Sequence, residues 1–551
     1  MFYLAGFVVA MLITMILIPP VMLLAKRYQF VDVPNGRKVH QRPIPRIGGA
    51  AVVLGVLLPL AFWLRLDSIF LGFFWGALII FGFGLLDDRL DLDYRLKFLA
   101  QFAAMAVAIV AGGVQIDTVT LAGVTWHPPF WLGFGATFFF FLAVTNAVNF
   151  ADGLDGLAGG VVLISLAALL VLSYRVEAFS ITLISVVLIG AVLGFLLYNS
   201  HPAVIFMGDG GSQFLGFSLA YLSMALSQSV AHVYSAALPL FLVGLPLVDL
   251  ILVIGLRVLS GTSVFAPDKR HLHHRLLAMG FNQYGAVLTI YLLQLLVVGT
   301  GVVLRYEDDL LGALAFVVLV ALMGLGARLA RDWLAEHQVE RLNDRARTEL
   351  TPLRLAMNKR VVAKWASIVA IAAMVLLQLL GVLQVRGVQF QLGLLTALFV
   401  LVFLWLDLKG GHGVFAGWFI RFTYISAALG ILYLWYQGGV IASEYTLLLN
   451  ALYLLLALLV FIGIQLSPDV MLSVRPIDLL VVLTALALPV VARDAAGYGR
   501  YGLMLMHMLV LVYAIELGLV KYRAEPQKMG VVKYFMLSPA VLLMLRGLTG
   551  I

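Results

Sequence analysis

Two neighbouring stretches decide the fold: A-G-G-V-V-L-I-S-L-A-A-L-L-V-L-S-Y (158–174) and A-F-S-I-T-L-I-S-V-V-L-I-G-A-V-L-G-F-L-L-Y (178–198), parted only by Arg175, Val176 and Glu177. Neither carries a charge, and each is long enough as a helix to cross a hydrocarbon core about 30 Å thick. A membrane barrel would show alternating segments of roughly 10 residues instead. Working outward, the same pattern recurs at 2–25, 48–64, 69–86, 98–114, 131–148, 213–227, 234–258, 284–304 and 309–329, making eleven spans. A polar break follows, and then six or seven further spans near 362–385, 391–406, 415–436, 445–466, 477–492, 502–520 and 531–546. The predicted fold is all-α, a polytopic transmembrane helical bundle. The composition agrees: the 551 residues are 63% hydrophobic and 12% charged, where soluble domains average about 25% charged. Polar side chains are too few to cover a water-soluble fold.

The absence of Cys excludes disulfides, thiolate nucleophiles and Cys-based zinc or iron–sulfur sites. Net charge is +8. In a membrane protein that excess reads as basic inner loops facing anionic lipid, with no nucleic-acid partner. Its distribution sets the topology. Lys26, Arg27, Arg37, Lys38, Arg42 and Arg46 follow the first span, Arg89, Arg95 and Lys97 the third, and Lys269, Arg270 and Arg275 the ninth. Only Arg65, Arg175 and Arg305 stand in the alternate loops. The positive-inside rule then puts the N-terminus outside and the basic loops in the cytoplasm. The run 2–25 has no basic leader and is followed by Lys26 and Arg27, as a retained first span would be.

Four polar clusters fall in the loops of the basic side. In G-F-G-L-L-D-D-R (82–89), Asp87 and Asp88 repel each other at the end of an apolar span. Such a pair is either a solvated helix end or has a cation or proton role, binding Mg²⁺ or taking a proton from a nucleophile. In N-F-A-D-G-L-D-G (149–156), Asn149, Asp152 and Asp155 recur every three residues, so a helix would set them on one face. Gly153, Gly156, Gly159 and Gly160 make a stripe on which membrane helices approach closely, and the acids could be incidental to that packing. F-M-G-D-G-G-S (206–212) is either a Gly-rich turn or a backbone that approaches a ligand beside Asp209. No Gly-Lys-Ser/Thr follows, so it is not a P-loop. P-D-K-R-H-L-H-H-R (267–275) offers cationic and neutral donors suited to a pyrophosphate; a zinc site and a plain basic interfacial loop are its alternatives. Acids and bases gathered on one membrane face suit phosphoryl transfer between a water-soluble nucleotide and a lipid headgroup.

In this order the clusters resemble the polyprenyl-phosphate N-acetylhexosamine-1-phosphate transferases, a glycosyltransferase family 4-like group. The resemblance covers about residues 1–330 and rests on R-K-V-H-Q-R-P-I-P-R-I-G-G (37–49), G-L-L-D-D-R (84–89), N-F-A-D-G-L-D-G-L-A-G-G (149–160), F-M-G-D-G-G-S (206–212) and H-L-H-H-R-L (271–276). The first and last forms resemble the UDP-N-acetylglucosamine branch. The phospho-N-acetylmuramoyl-pentapeptide transferases typically carry T-P-T-M-G-G and three consecutive histidines, a run that Leu272 interrupts here. The resemblance implies a reaction in which membrane polyprenyl phosphate attacks the β-phosphate of a UDP-sugar. UMP leaves and a polyprenyl-diphosphate sugar forms, the first step of a cell-envelope lipopolysaccharide or exopolysaccharide, with Mg²⁺ or Mn²⁺ required. It implies Asp209 and Asp152 as metal ligands, and a catalytic set of Asp87, Asp88, Lys97, Asp152 and Asp155. One of Asp87 and Asp88 is the base toward the lipid phosphate, which Lys97 contacts. Phe206 would stack on uracil, Asn149 would line the nucleotide site, and His271, His273, His274 and Arg275 would hold the diphosphate or sugar. Lys38 matches a basic position of the first loop. The setting implied is the bacterial inner membrane, with the site on its cytoplasmic face; the oligomeric state stays open, a homodimer included.

The chain continues beyond the eleven spans usual for that family. The expected division is a transferase domain at 1–330, a cytoplasmic polar linker at 331–361 with Glu336 and Glu340 near Arg341 and Arg345, and a transmembrane domain of unassigned role at 362–551. His412 and His507 stand alone there, as structural histidines do. The competing class is a transporter or flippase of lipid-linked sugars using Asp249, Arg421 and Glu516 as intramembrane charges. Asp249 and Arg257, two turns apart, are expected to pair. A transporter would set its charges at midspan, whereas these polar clusters stand at loop ends on one side.

Overall fold

The computed structural model describes residues 2–32, 43–62, 67–90, 93–230, 233–263, 270–337, 359–384, 390–408 and 526–549, with short helical pieces between 419 and 519. Lys38, Glu340, Arg341, Arg345, His412, Arg421 and Glu516 lie outside the described residues. Helix is the dominant element, and among the described residues nine helices are long and apolar enough to cross a membrane.

In chain order the first helices are α1 (Phe2–Arg27), α2 (Gly48–Phe62), α3 (Ser68–Leu90), α4 (Tyr94–Gly112), α5 (Phe130–Ala151), α6 (Leu157–Arg175) and α7 (Phe179–Asn199). Then come α8 (Asp209–Met224), α9 (Leu238–Val243), α10 (Leu245–Leu259), α11 (Leu272–Ala278), α12 (Gln283–Val303) and α13 (Asp309–His337). The two stretches that decide the fold become α6 and α7, buried along most of their length. Helices α1 and α2 pack on α7, α3 on α4 and α8, α5 on α8, and α12 on α6. In a bundle whose surroundings are as apolar as its core, such close helix contacts are what hold the helices together.

Two spans are not single regular α-helices, and α13 runs eight residues past the expected end of its span at 329, into the stretch expected as linker. The ninth, 234–258, is two helices: Gly244 at φ +68° ends α9, and a Pro in the first turn opens α10. The freed Leu245 amide donates to Gln294 Oε1 at 2.7 Å, and Gln294 Nε2 donates to Ser165 Oγ at 2.8 Å. A helix broken inside hydrocarbon needs such replacement partners. The eighth span begins at Asp209, four residues before its expected start at 213, and runs on into a π-helical turn at 225–230.

At the end away from the polar clusters, β3 (Val119–Leu121) and β4 (Val124–Trp126) form a hairpin that the apolar pattern does not signal; β1 (Val31–Asp32) pairs with β2 (Ile44–Pro45) at the other end. Ala122 and Gly123, both at positive φ, make the two-residue turn between β3 and β4. Asp308 accepts the Gly123 and Ala122 amides at 2.9 and 3.2 Å. Those amides, Gly123 foremost, hold the Asp308 carboxyl below the usual carboxylate range. Asp309 accepts the Thr120 amide and the Ser235 hydroxyl, both at 2.6 Å.

The chain divides into two compact units, Met1–Leu342 with Arg475–Leu480, and Asn343–Val474 with Val481–Ile551. In the second, helices Lys359–Gln384, Phe390–Leu408 and Pro526–Thr549 share a core around Met374, Phe403, Tyr424, Leu511 and Leu537. His507 is buried there, its ring 3.8 Å from that of Tyr453.

Candidate active site

The five motifs meet at helix ends. R-I-G-G opens α2 and zips onto the segment before α8. Gly48 N donates to Phe206 O at 2.9 Å, Gly49 N to Met207 O at 2.7 Å, and Phe206 N to Pro45 O at 2.7 Å. A Cβ on Gly49 would lie 2.3 Å from Gly211 Cα, and one on Gly84 would lie 2.4 Å from Gly210 Cα. Glycines that the sequence offers for approach to a ligand are thus used for approach to one another: α2, α3 and α8 meet backbone to backbone. Gly208, at φ +79°, turns the chain into α8, so Asp209 is a helix's first residue and not a loop residue. That position favours a carboxylate. Arg46 Nη2 donates to Asp209 Oδ1 at 2.7 Å, and the Asp209 side chain stays 29% exposed. Ser212, one turn on, donates to Asn149 Oδ1 at 2.7 Å and ties α8 to the end of α5.

Asn149, Asp152 and Asp155 do not share a helical face. Helix α5 ends at Ala151, Asp152 is its C-terminal cap, and the chain turns through 152–156 before α6. Gly156 at φ +77° makes that turn, and Asn199 Oδ1 accepts its amide at 3.0 Å. The spacing suits a helix, but glycines at 153 and 156 let the chain break it. The three side chains therefore part. Asn149 takes Ser212; Asp155 accepts from His201 Nδ1 at 2.6 Å and the Ala203 amide at 3.1 Å, pinning the loop before α8; Asp152 stays half-buried at the turn. The rest of the glycine stripe packs helices as expected: a Cβ on Gly160 would strike the Tyr291 hydroxyl, which donates to Gly156 O at 2.7 Å.

Lys97 Nζ, in the first turn of α4, lies 2.8 Å from Asp87 Oδ1 near the end of α3, with Asp87 buried. Asp88 follows on α3, and its side chain lies outside the described residues. A small cavity opens beside the pair, lined by Ile80, Phe83 and Ala100 together with Asp87, Lys97, Gln101 and Gln213.

His271 caps α11. Its Nδ1 lies 2.9 Å from Asp249 Oδ2, and the Leu272 amide donates to Asp249 Oδ1 at 2.9 Å. Asp249 thus orients His271, in place of the expected pairing with Arg257. A carboxylate only accepts, so Nδ1 carries the hydrogen and Nε2 is left for other partners. The His271 ring lies 5.4 Å from Phe150 and 6.1 Å from His273, joining this motif to the end of α5. His273 is buried against Gly153, where an added Cβ would collide with it. Burial, then the neighbouring His274 and His271, push the His273 imidazole down to about 3, so it serves as a neutral group. His274 and Arg275 are half-buried, the His274 ring 4.2 Å from that of His273. Phe206 is half-buried beside α2.

Among the described residues no three His, Asp or Glu side chains gather as an all-protein metal cage would require. Mg²⁺ is commonly held by one or two carboxylates together with substrate phosphates. A partly exposed Asp209 at a helix start and a half-buried Asp152 fit that sparser arrangement. Sequence reasoning passed over His201, Gln101 and Gln213, polar residues whose partners are distant in the chain; it named Arg46 and Asp249 but gave them other roles.

The class the fold and site define is a multi-pass helical membrane protein whose acidic and basic helix ends are locked together at one side. The model of glycosyl transferase family 4 matches residues 70–227. A probable undecaprenyl-phosphate N-acetylglucosaminyl 1-phosphate transferase of Bacillus subtilis is 35% identical over 326 residues, covering 59% of this chain and 91% of the relative. A decaprenyl-phosphate N-acetylglucosaminephosphotransferase of Mycobacterium tuberculosis is 37% identical over 316 residues, 51% of this chain and 78% of the relative. An undecaprenyl-phosphate alpha-N-acetylglucosaminyl 1-phosphate transferase of Escherichia coli is 29% identical over 334 residues, 59% and 90% of the two chains. This chain belongs to that family of multi-pass membrane phosphotransferases.

Proposed function

We propose that the protein transfers N-acetylglucosamine-1-phosphate from UDP-N-acetylglucosamine to a polyprenyl phosphate, at the cytoplasmic face of a bacterial inner membrane. The observation that carries this reading is the interlocking of five motifs distant in the chain: Gly49 on Gly211, Gly84 on Gly210, Ser212 on Asn149, Phe150 on His271. The relatives' names supply the sugar and the lipid, and the Lys/Arg bias supports the cytoplasmic side.

In the proposed reaction an oxygen of the lipid phosphate attacks the β-phosphorus of the donor. The bond from that phosphorus to the UMP oxygen breaks, UMP leaves with the electron pair, and the lipid-diphosphate sugar remains. Catalysis of this kind is mostly positioning and charge neutralisation. The acceptor phosphate belongs at the Asp87–Lys97 pair, where Lys97 offsets its charge and Asp87 or Asp88 takes a proton from a monoanionic phosphate. His271, oriented by Asp249, acts with neutral His273, His274, Arg275 and Arg46 as donors to the diphosphate and sugar. Asn149 and Phe206 face the nucleotide side, and Lys38 adds a basic donor from the first loop. Asp155 holds the His201–Ala203 loop that leads into Asp209. Asp209, with Asp152, would hold a divalent cation, Mg²⁺ or Mn²⁺, which when bound neutralises the diphosphate oxygens. The test incubates the purified full chain with polyprenyl phosphate and UDP-sugars tritiated in the sugar. N-acetylglucosamine label entering the organic phase is expected; label from a different sugar would overturn the donor, and no lipid product from any would overturn the reading.

A further inference from the structure

Beside the Asp87–Lys97 pair runs a chain of side-chain amides that no motif includes. Asn146 on α5 donates through Nδ2 to Leu142 O at 2.8 Å and to Gln101 Oε1 at 3.4 Å. Gln101, one turn along α4 from Lys97, donates through Nε2 to Gln213 Oε1 at 3.1 Å. Gln101 and Gln213 are only 5% and 8% exposed, and both line the cavity that holds Asp87 and Lys97. Two buried amides and a half-buried one among membrane helices need a reason, since each costs free energy unless its groups are satisfied.

The order of the chain fixes its polarity. The Leu142 carbonyl only accepts, so Asn146 must present its nitrogen. Gln101 then turns its oxygen to Asn146 and its nitrogen to Gln213. The Gln213 oxygen is thereby used, and its NH₂ is left over. Among the described residues that nitrogen has no hydrogen-bond partner. The cavity lining thus carries a cation at Lys97, the Asp87 carboxylate and a neutral donor at Gln213, together with the apolar side chains of Ile80, Phe83 and Ala100. A phosphate monoester whose ester carbon starts an apolar chain matches both the polar and the apolar part of this lining; a nucleoside diphosphate sugar has no apolar part to offer it.

We infer that the Gln213 amide NH₂ is a binding group for the phosphate of the lipid acceptor, and that Gln101 and Asn146 are positioning residues that keep its donor face toward the cavity. The inference rests on the proposed acceptor. It explains why two glutamines stand where leucines would pack: an amide adds a donor without a second charge beside Asp87. Because hydrogen bonds to charged groups contribute about 1.5–3 kcal/mol, removing this one should raise the lipid-phosphate KM roughly 10- to 100-fold.

The experiment measures KM and kcat separately for undecaprenyl phosphate and for UDP-N-acetylglucosamine in the full-length protein carrying Gln213→Leu, Gln213→Glu or Asn146→Asp. Thermal unfolding in detergent confirms comparable folding. Gln213→Leu should raise the KM for undecaprenyl phosphate at least about tenfold, leaving that of the nucleotide sugar within about twofold. Gln213→Glu should be worse, because a carboxylate repels the phosphate. Asn146→Asp cannot donate to Leu142, so it should reverse the chain, turn the Gln213 oxygen to the cavity and again raise only the lipid KM. Inorganic phosphate should compete weakly with the lipid in the wild type, and less still in Gln213→Leu; equal competition by inorganic phosphate in both would place the anion elsewhere. An active wild type with an unchanged lipid KM in Gln213→Leu, or with equal losses toward both substrates, overturns the inference alone. A wild type that makes no lipid product overturns the functional reading beneath it. If Gln213→Leu does not fold, the Asn146→Asp comparison decides.

Discussion

Two glycines in one motif should behave oppositely when given a methyl group. Gly84 faces Gly210 across the α3–α8 contact, and its Cβ would sit 2.4 Å from Gly210 Cα, where ordinary contact begins near 3.4 Å. The neighbour is backbone, so no side chain can swing aside. Relief requires the two helices to part by about 1.0 Å, the difference of those distances. Gly84 lies three residues before Asp87 and Gly210 follows Asp209, so that displacement separates the acceptor end of the site from the proposed metal end. Overpacking of this kind costs about 1–3 kcal/mol in stability. A misplacement of about 1 Å costs on the order of 10²-fold in rate. Gly82, two residues earlier, has nothing within 4 Å of its Cβ. Gly82→Ala should leave activity intact and favour the helix by up to about 1 kcal/mol. The assay is the initial rate of lipid-linked product at saturating substrates, with detergent thermal unfolding alongside. Gly84→Ala working within about threefold of wild type would refute the claim that backbone contact sets the site's geometry.

Four further outcomes are expected. Asp209→Asn should fold normally and lose at least about 10²-fold in turnover, with weaker metal-dependent nucleotide binding; activity within threefold would remove Asp209 from the metal. His273 ordinarily titrates at 6.5 and is pushed down to about 3 in the fold, so between those values the unfolded chain binds the extra proton. Stability should therefore fall as pH drops from 6.5 toward 3 and stay flat above 6.5, and His273→Gln should flatten that limb in thermal unfolding; an unchanged slope contradicts a buried neutral imidazole. In this chain without Cys, Val124→Cys at the start of β4 should react with an impermeant reagent from outside intact cells while Asp93→Cys, before α4, should not; the reverse pattern inverts the topology. A chain ended near Arg347 should retain sugar-phosphate transfer, since it keeps every motif; a folded truncated protein that binds the UDP-sugar yet makes no product would make 362–551 part of the catalytic unit.

The fold class was legible because uncharged runs the length of a membrane have few other structures open to them, and α6 and α7 fall within a residue or two of 158–174 and 178–198. What escaped is what hydropathy cannot carry. Gly244 breaks an apolar run because Gln294, fifty residues away, accepts the freed Leu245 amide. The β3–β4 hairpin depends on Asp308 and Asp309 capturing its amides from across the bundle. At the site, residue types announced themselves, but their grouping did not. The three-residue spacing of Asn149, Asp152 and Asp155 imitates a helical face, and Gly156 at positive φ undoes it. Asp249 looked like half of a pair with Arg257 on its own helix, yet its partner arrives from the next loop. Amides such as Gln101 and Gln213 carry no charge to count, so only their contact reveals them.

The central claim is that this site moves a phosphate together with the sugar. The direct measurement uses UDP-N-acetylglucosamine labelled with ³²P in the β-phosphate, purified full-length protein and undecaprenyl phosphate. The β-label should pass to the organic phase in step with unlabelled UMP appearing in the aqueous phase, one for one. If instead the sugar reached the lipid while the β-label stayed in water as UDP, the reaction would break the sugar–phosphate bond, and attack on the β-phosphorus would be contradicted.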